Sequence, residues 1–214
     1  LLLESSDYRA NDNTFSYICC NPIASIKIEH EVVTQNFPDG SQKETQITTA
    51  LSVPKVLEDF THSFASENAS FKFINNGVFG YMAYDAVRYF EDISVSKKKG
   101  GINIPDMYYA VYQNIIAINH FNNEAYIFSH NYNSESNIPQ IEQYLNSKTF
   151  AEYPFSRKGD RETNLKDEEF KALVRKCKEH CLRGDVFQIV PSKRFSQGFT
   201  GDEFNVYRAL RSVN

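Results

Sequence analysis

The chain has 214 residues, 41% of them hydrophobic and 23% charged, a balance typical of a globular protein that buries a core. Its formal net charge of −4 gives no basic excess for a nucleic acid or an acidic membrane surface. No apolar run reaches the roughly 18 residues that cross a bilayer, so we expect neither a nucleic-acid nor a membrane partner.

The first half of the chain is predicted to be rich in strands. Residues 14–20 are β-branched and aromatic, and residues 23–35 alternate apolar with polar side chains, which is typical of a strand with one solvated face. Pro38, Asp39 and Gly40 predict a turn, after which residues 41–49 return as the partner strand of a hairpin.

A helix and a second hairpin follow. Ser52 and Pro54 predict the start of a helix, because proline is tolerated in a first helical turn. Residues 107–120 form a long apolar segment, and residues 124–130 return after two asparagines, as expected for a hairpin. Residues 134–147 are predicted to be a moderately polar helix.

A polar connector at residues 152–163 divides the chain into two predicted regions, 1–150 and 151–214. A helix follows, which we expect Asn164 to cap and Gly184 to end. Its apolar stripe consists of Phe170, Leu173, Val174, Cys177 and Cys181. Residues 186–195 are then predicted as a strand and residues 203–211 as a helix. Hairpins separated by helices, without a regular βαβ rhythm, predict an α+β fold with mainly antiparallel sheets.

The four cysteines form two close pairs. In the second pair, Cys177 and Cys181 lie with His180 at the spacing of one helix face. A zinc site is one interpretation, but it requires a fourth ligand that the neighbouring sequence does not offer, so core packing is favoured. Free thiols and the lack of a targeting signal predict a cytoplasmic protein.

Three segments could carry chemistry. The first is Leu2-Leu3-Glu4-Ser5, where a strand end offers a carboxylate and a hydroxyl; from the residue types alone, capping of a turn is the favoured interpretation. The second contains Gly77 and Gly80, which complete no phosphate-binding pattern and indicate close backbone approach.

Just after these glycines, Asp85, Arg88 and Glu91 have helical spacing, which predicts a short turn with its own ion pairs. The third segment is residues 184–195, which alternation predicts to be a largely buried strand. Within it, Gln188 is a polar group in an apolar run, so either a structural neighbour or a ligand must satisfy its amide. No complete catalytic constellation is visible.

Taken in order, several motifs resemble the anthranilate synthase component I family of chorismate-binding enzymes, from Leu1 to Asn214. They are Leu2-Leu3-Glu4-Ser5, Gly77-Val78-Phe79-Gly80-Tyr81-Met82-Ala83-Tyr84-Asp85, Arg88-Tyr89-Phe90-Glu91, Ile104-Pro105-Asp106 and Gly184-Asp185-Val186-Phe187-Gln188-Ile189-Val190-Pro191-Ser192-Lys193-Arg194-Phe195. The resemblance implies a two-layer α+β sandwich, with a regulatory region before residue 150 and the start of a chorismate-binding region after it.

The same resemblance implies conversion of chorismate and ammonia to anthranilate and pyruvate, with Mg²⁺, in tryptophan biosynthesis. A glutamine amidotransferase subunit would supply the ammonia. Glu4 and Ser5 would then contact tryptophan as a feedback inhibitor, which reverses the interpretation from residue types alone. Gln188 would face the chorismate pocket without being a general base, because a neutral amide deprotonates water poorly. Related isochorismate and salicylate synthases carry lysine there.

The resemblance also implies that the chain is a fragment. The final helix leads, in the family, into Asn-Pro-Ser-Pro-Tyr, of which Asn214 matches the first residue. The catalytic residues and the Mg²⁺ ligands would therefore lie beyond Asn214, and we expect no activity from the fragment alone. We also expect the incomplete fold to leave strand edges that cause association, or a poorly ordered last strand.

Two alternatives remain at this point. Aminodeoxychorismate synthase component I of the folate pathway shares most of the motifs, although its members more often have Asn-Leu where this chain has Val190 and Pro191. The other alternative is a stand-alone amino-acid-binding module without enzymatic activity.

Overall fold

The structure is a computed structural model that describes residues 1–4, 14–48, 51–67, 70–95, 103–148 and 154–213. It divides into two compact units, Leu1–Ser147 and Lys148–Asn214, which are called here the first and second units. Each is described separately below.

The first unit is built around an antiparallel sheet that has seven strands among the described residues. Its strands are β1 (Leu2–Leu3), β2 (Phe15–Glu29), β3 (Val32–Asn36), β4 (Gln42–Gln46), β5 (Val78–Met82), β6 (Met107–Asn119) and β7 (Glu124–Ser129). The order is β4-β3-β2-β6-β5, with β1 paired to β2 and β7 paired to β6. The helices are α1 (Val53–His62), a 3₁₀ helix (Tyr84–Tyr89) and α2 (Ile138–Asn146). The prediction of a mainly antiparallel α+β fold is confirmed.

The two longest strands form the spine of this sheet. β2 pairs with β6 from Phe15 opposite Asn119 to Ile28 opposite Met107. The sequence predicted two strands here, 14–20 and 23–35, but the chain turns instead at His30 and Glu31, with φ values of 51° and 63°. A two-residue hairpin loop requires positive φ, which glycine and asparagine adopt most easily. This turn was missed because neither residue is a turn signal.

Helix α1 covers one face of the sheet. The Ser52 hydroxyl accepts a hydrogen bond from the Lys55 backbone N–H at 3.4 Å, so the predicted helix start is confirmed. Val53 and Phe60 are 2% and 1% exposed, and they pack against Ile26 and Ile28 of β2 in the larger hydrophobic core. Burial of these side chains is the main source of stability for this layer.

The second unit contains β8 (Ser156–Thr163), α3 (Asp167–Arg183), β9 (Phe195–Thr200) and α4 (Phe204–Val213). β8 and β9 are antiparallel, with Thr163 opposite Phe195. The predicted connector at residues 152–163 therefore contains a strand, which its uniformly polar sequence concealed. The αL glycine that ends α3, Gly184 with φ 79°, is confirmed.

Two further predictions for this unit are wrong. Helix α3 is capped by Lys166, whose backbone N–H donates to Glu169 Oε2 at 2.7 Å, and not by Asn164. The predicted strand 186–195 is irregular except at Phe195, where β9 begins. Pro191 lacks an N–H for a strand ladder, which is one physical reason for the missing pairing.

Candidate functional site

Glu4 lies directly after the short strand β1. Leu2 and Leu3 pair with Ile18 and Tyr17 of β2, and the Cys19 backbone N–H donates to the carbonyl of Leu1 at 2.8 Å. β1 is therefore an integral edge of the large sheet, and it holds the half-buried Glu4 next to that sheet. Ser5, the second predicted inhibitor contact, lies outside the described residues.

Gln188 is exposed, and the prediction of a largely buried strand around it is wrong. Its apolar neighbours are exposed as well: Phe187 is 103%, Val190 76% and Ile189 42% accessible. Solvent can therefore satisfy the amide of Gln188, and no structural neighbour is needed for it. The side chain is available to a ligand.

The ends of this segment are fixed to α3. Beside Gly184, Oδ2 of Asp185 accepts from Arg183 Nε at 3.1 Å and lies 2.8 Å from His180 Nδ1. The hydrogen bond with His180, followed by that with Arg183, lowers the pKa of Asp185. At the other end, Lys193 forms an ion pair with Asp167 in the first turn of α3.

Arg88, Tyr89 and Asp106 form a half-buried polar cluster in the first unit. Arg88 Nη2 lies 2.6 Å from Asp106 Oδ2, and the Tyr89 hydroxyl donates to the same oxygen at 2.8 Å. Burial, together with the hydrogen bond to Asp106, raises the pKa of Tyr89 to about 12. The predicted ion pairs of Arg88 with Asp85 and Glu91 are wrong, because Arg88 pairs with Asp106 and contacts Asp85 through its backbone carbonyl.

Sequence reasoning missed Asp106 as the partner of Arg88. Asp106 follows Ile104 and Pro105 in one of the motifs given above, and this was the signal that the sequence offered. The two residues are 18 positions apart, so no local pattern indicated their contact. The cluster ties the 3₁₀ helix to the start of β6, where the Ala83 N–H also donates to the Asp106 carbonyl at 2.8 Å. Its position within the unit and its mutual hydrogen bonds indicate a structural role.

Gly80 is required by close backbone approach, as the sequence predicted. A β-carbon at this position in β5 would overlap the carbonyl oxygen of Tyr108 in β6. Gly77 has a φ of 129°, a conformation that other residues rarely adopt. Gly80 therefore serves the β5–β6 pairing, and Gly77 serves the backbone conformation that leads into β5.

A cavity of about 890 Å³ opens in the first unit at a break in the sheet edge. β5 and β7 pair with successive parts of β6, and the cavity lies at the gap between them. Its lining includes Asn76 and Gly77 before β5, Tyr112 of β6, and His130 after β7. His130 Nε2 lies 2.9 Å from the Asn75 carbonyl, so the two walls are tied together. Glu4 is not part of the lining.

The described residues do not provide a magnesium or zinc site. No group of three or more His, Cys, Asp or Glu side chains among them is arranged to hold a metal ion. Cys177 is buried and Cys181 is exposed on α3, while His180 is engaged with Asp185, which opposes the zinc interpretation. Asn214, after which the magnesium ligands are expected, lies outside the described residues. Within the described part of the chain, no helix combines the length and apolarity needed to cross a membrane.

The family model described as "chorismate binding enzyme" matches residues 4–214. The chain is 28% identical to anthranilate synthase component 1 of Lactococcus lactis subsp. lactis (strain IL1403), over all of this chain and 47% of that protein. It is 30% identical to anthranilate synthase alpha subunit 1, chloroplastic, of Arabidopsis thaliana, over 75% of this chain and 29% of that protein.

The chain is also 27% identical to aminodeoxychorismate synthase component 1 of Bacillus subtilis (strain 168), over 100% of this chain and 46% of that protein. A crystal structure of anthranilate synthase component I from Streptococcus pneumoniae TIGR4 superposes with a TM-score of 0.70 at 25% identity, covering 99% of this chain and 47% of that one. The chain thus spans less than half the length of these relatives.

An antiparallel α+β fold and a family match over nearly the whole chain define the class: the chain belongs to the chorismate-binding enzyme family. Its relatives include both anthranilate synthases and an aminodeoxychorismate synthase. These similarities define the family and not the particular member.

Proposed function

We propose that the chain is the N-terminal part of an anthranilate synthase component I, which forms anthranilate and pyruvate from chorismate and ammonia. The observation that carries this proposal is the similarity of the whole chain to the Lactococcus component 1, together with the matching fold of the Streptococcus protein. The first unit would be regulatory, and the second unit would begin the chorismate-binding region. No catalytic residue is assigned within the chain.

Gln188 is the residue that we propose to face chorismate. It is exposed on a segment that is fixed at both ends, so it can meet a ligand without loss of a structural contact. A neutral amide is a poor base for activating water, whereas it can donate to and accept from a bound substrate. This chemistry suits an enzyme whose nucleophile is ammonia.

Tryptophan is the proposed feedback inhibitor, with Glu4 and Ser5 as its contacts. The carboxylate of Glu4 would pair with the ammonium group of the amino acid, which is a charge-assisted contact.

A glutamine amidotransferase subunit is the proposed ammonia source. Mg²⁺ ligands are proposed to follow Asn214 in a longer protein, in which case the chain alone forms no anthranilate. A cytoplasmic location stays a prediction.

Aminodeoxychorismate synthase component I is the second candidate, supported by the 27% identity to the Bacillus protein. Val190 and Pro191 favour the anthranilate synthase, since members of the folate enzyme more often have Asn-Leu at these positions. A stand-alone amino-acid-binding module is the third candidate.

Complementation by the complete gene distinguishes the two pathways. We expect it to restore growth of a bacterial strain that lacks anthranilate synthase component I on medium without tryptophan. A strain that lacks aminodeoxychorismate synthase component I should still need p-aminobenzoate. Rescue of the second strain alone would overturn the proposal in favour of the folate enzyme.

Titration calorimetry with tryptophan tests the module interpretation on the chain itself. We expect no tight binding, because the proposed inhibitor pocket is completed by residues beyond Asn214. Tight binding that Glu4→Gln weakens would favour a self-contained amino-acid-binding module.

A further inference from the structure

The segment from Asp185 to Lys193, called here the return segment, runs back along α3. Helix α3 has 17 residues, which corresponds to a length of about 24 Å. Asp185 follows its last turn, while Lys193 contacts Asp167 in its first turn. The eight intervening Cα–Cα steps span at most about 26–29 Å when fully extended. These steps are long enough to reach from one end of α3 to the other, and the chain bends at Phe187 on the way.

The first anchor of the return segment lies at the C-terminal end of α3. Arg183 Nη2 donates to Asp185 Oδ2 at 2.7 Å, and His180 Nδ1 lies 2.8 Å from the same oxygen. The Asp185 backbone N–H also donates to the His180 carbonyl at 3.0 Å. The turn at Gly184 thus begins the return segment in a fixed direction.

The second anchor lies at the N-terminal end of α3. Lys193 Nζ donates to Asp167 Oδ1, and the Lys193 side chain is only 9% exposed. The Arg194 N–H donates to Asn164 Oδ1 at 2.8 Å, and the Asn164 N–H donates back to the Arg194 carbonyl at 3.2 Å. Asn164, predicted as a helix cap, instead fixes Arg194, the residue that follows the return segment.

Between the anchors, residues 186–192 form no backbone ladder with another described residue. The large side chains of this stretch, including Phe187 and Val190, are exposed. Packing therefore does little to fix Gln188 along the segment. The two anchors are therefore the described contacts that limit where Gln188 lies.

We propose that Asp167 and Asp185 are positioning residues for Gln188, and that they hold the two ends of the return segment so that it presents this amide to chorismate. The anchoring stands on the geometry above, while the role of chorismate rests on the proposed function. Asp167 and Asp185 are 83% and 44% exposed, so their ion pairs contribute little to global stability. A positioning role predicts loss of local order without loss of the fold.

Asp167→Asn tests the second anchor, and Glu168→Gln is its matched control. Both changes remove one negative charge from the first turn of α3, but Glu168 pairs with Lys171 in the same helix. The readout is the ¹⁵N order parameter of the Phe187–Val190 amides in the chain. We expect about 0.85 for the unmodified chain and for Glu168→Gln, and a value below about 0.6 for Asp167→Asn.

The exchange Asp167→Lys with Lys193→Asp restores an ion pair of reversed sign, and we expect it to recover most of the lost order. An order parameter below about 0.6 in the unmodified chain would overturn the proposal. Equal values for Asp167→Asn and Glu168→Gln would also overturn it.

The second readout is steady-state kinetics of the complete gene product. We expect Asp167→Asn to lower kcat/KM for chorismate about tenfold, because small displacements of a substrate contact are costly, while Glu168→Gln stays within about twofold. Loss of order without a change in kcat/KM would overturn the positioning role. If chorismate is not a substrate but the order parameters respond as expected, the anchoring stands and the proposed function fails.

Discussion

The two units use their apolar residues differently. Apart from Cys177, the buried hydrophobic residues of the described chain all lie in the first unit, around α1 and the large sheet. In the second unit, large side chains such as Leu182, Phe187, Leu210 and Val213 are between 63% and 103% exposed. This difference shows that the first unit has a core of its own, whereas the large apolar side chains of the second unit are mostly exposed.

The largest expected effect comes from the core of the first unit. Phe60→Ala removes a ring that is 1% exposed and whose centroid lies 5.1 Å from that of the Phe64 ring. We therefore expect the free energy of unfolding to fall by about 3–5 kcal/mol. Phe187→Ala is the matched change in the second unit and should alter stability by less than about 0.5 kcal/mol. Urea unfolding followed by far-UV circular dichroism measures both. Similar losses for the two variants would contradict the claim that only the first unit has a core of its own.

The Arg88–Asp106 pair is expected to contribute less than the core but more than an exposed pair. Arg88→Met leaves Asp106, which is only 18% exposed, without its cation, and should destabilise the first unit by about 2 kcal/mol. Lys55→Met removes the partner of Glu58 and Asp59 at the surface and should cost much less than Arg88→Met. Equal costs in urea unfolding would show that burial of the pair has no energetic consequence.

Two buried asparagines of β6 differ in whether their side-chain amides have hydrogen-bond partners. Asn119 Oδ1 accepts from the Phe121 and Asn122 N–H groups, whereas the Asn114 amide has no partner among the described residues. We expect Asn114→Leu to stabilise the unit and Asn119→Leu to destabilise it, each by about 1 kcal/mol. Thermal unfolding of the two variants measures the difference. Destabilisation by both would indicate that Asn114 is satisfied by ordered water.

The smallest effect at neutral pH concerns Tyr89. Its pKa is raised from the ordinary value of 10.0 to about 12 in the folded chain, chiefly by burial and by Asp106. The neutral phenol is therefore favoured by folding, so its contribution is fully present below pH 10 and is lost as pH rises through 12. The stability difference between the unmodified chain and Tyr89→Phe should be constant below pH 10 and decline above it. A constant difference up to pH 12 would contradict the assignment.

The sequence predicted those elements in which local chemistry and periodicity agree. Ser52 and Pro54 predicted the start of α1, and Gly184 predicted the end of α3. β8 was missed because its side chains are polar on both faces, which leaves no alternation of apolar residues to read. The hairpin at His30 and Glu31 was missed because tertiary pairing holds two ordinary residues at positive φ.

The candidate site was less accessible to prediction from the sequence. Gln188 was identified, but the prediction that it is buried was wrong. Alternation of apolar residues does not distinguish a buried strand from an exposed extended segment. The contacts of Asp106 with Arg88 and of Asn164 with Arg194 join residues 18 and 30 positions apart, and no local pattern indicates them. Geometry from the folded chain was needed to recognise both.

Product analysis of the complete gene product, supplied with chorismate, ammonium and Mg²⁺, distinguishes an anthranilate synthase from the folate enzyme. The account predicts anthranilate and pyruvate in equal amounts, and no anthranilate when the 214-residue chain is used alone. Formation of aminodeoxychorismate, or the absence of any turnover of chorismate by the complete protein, would contradict it.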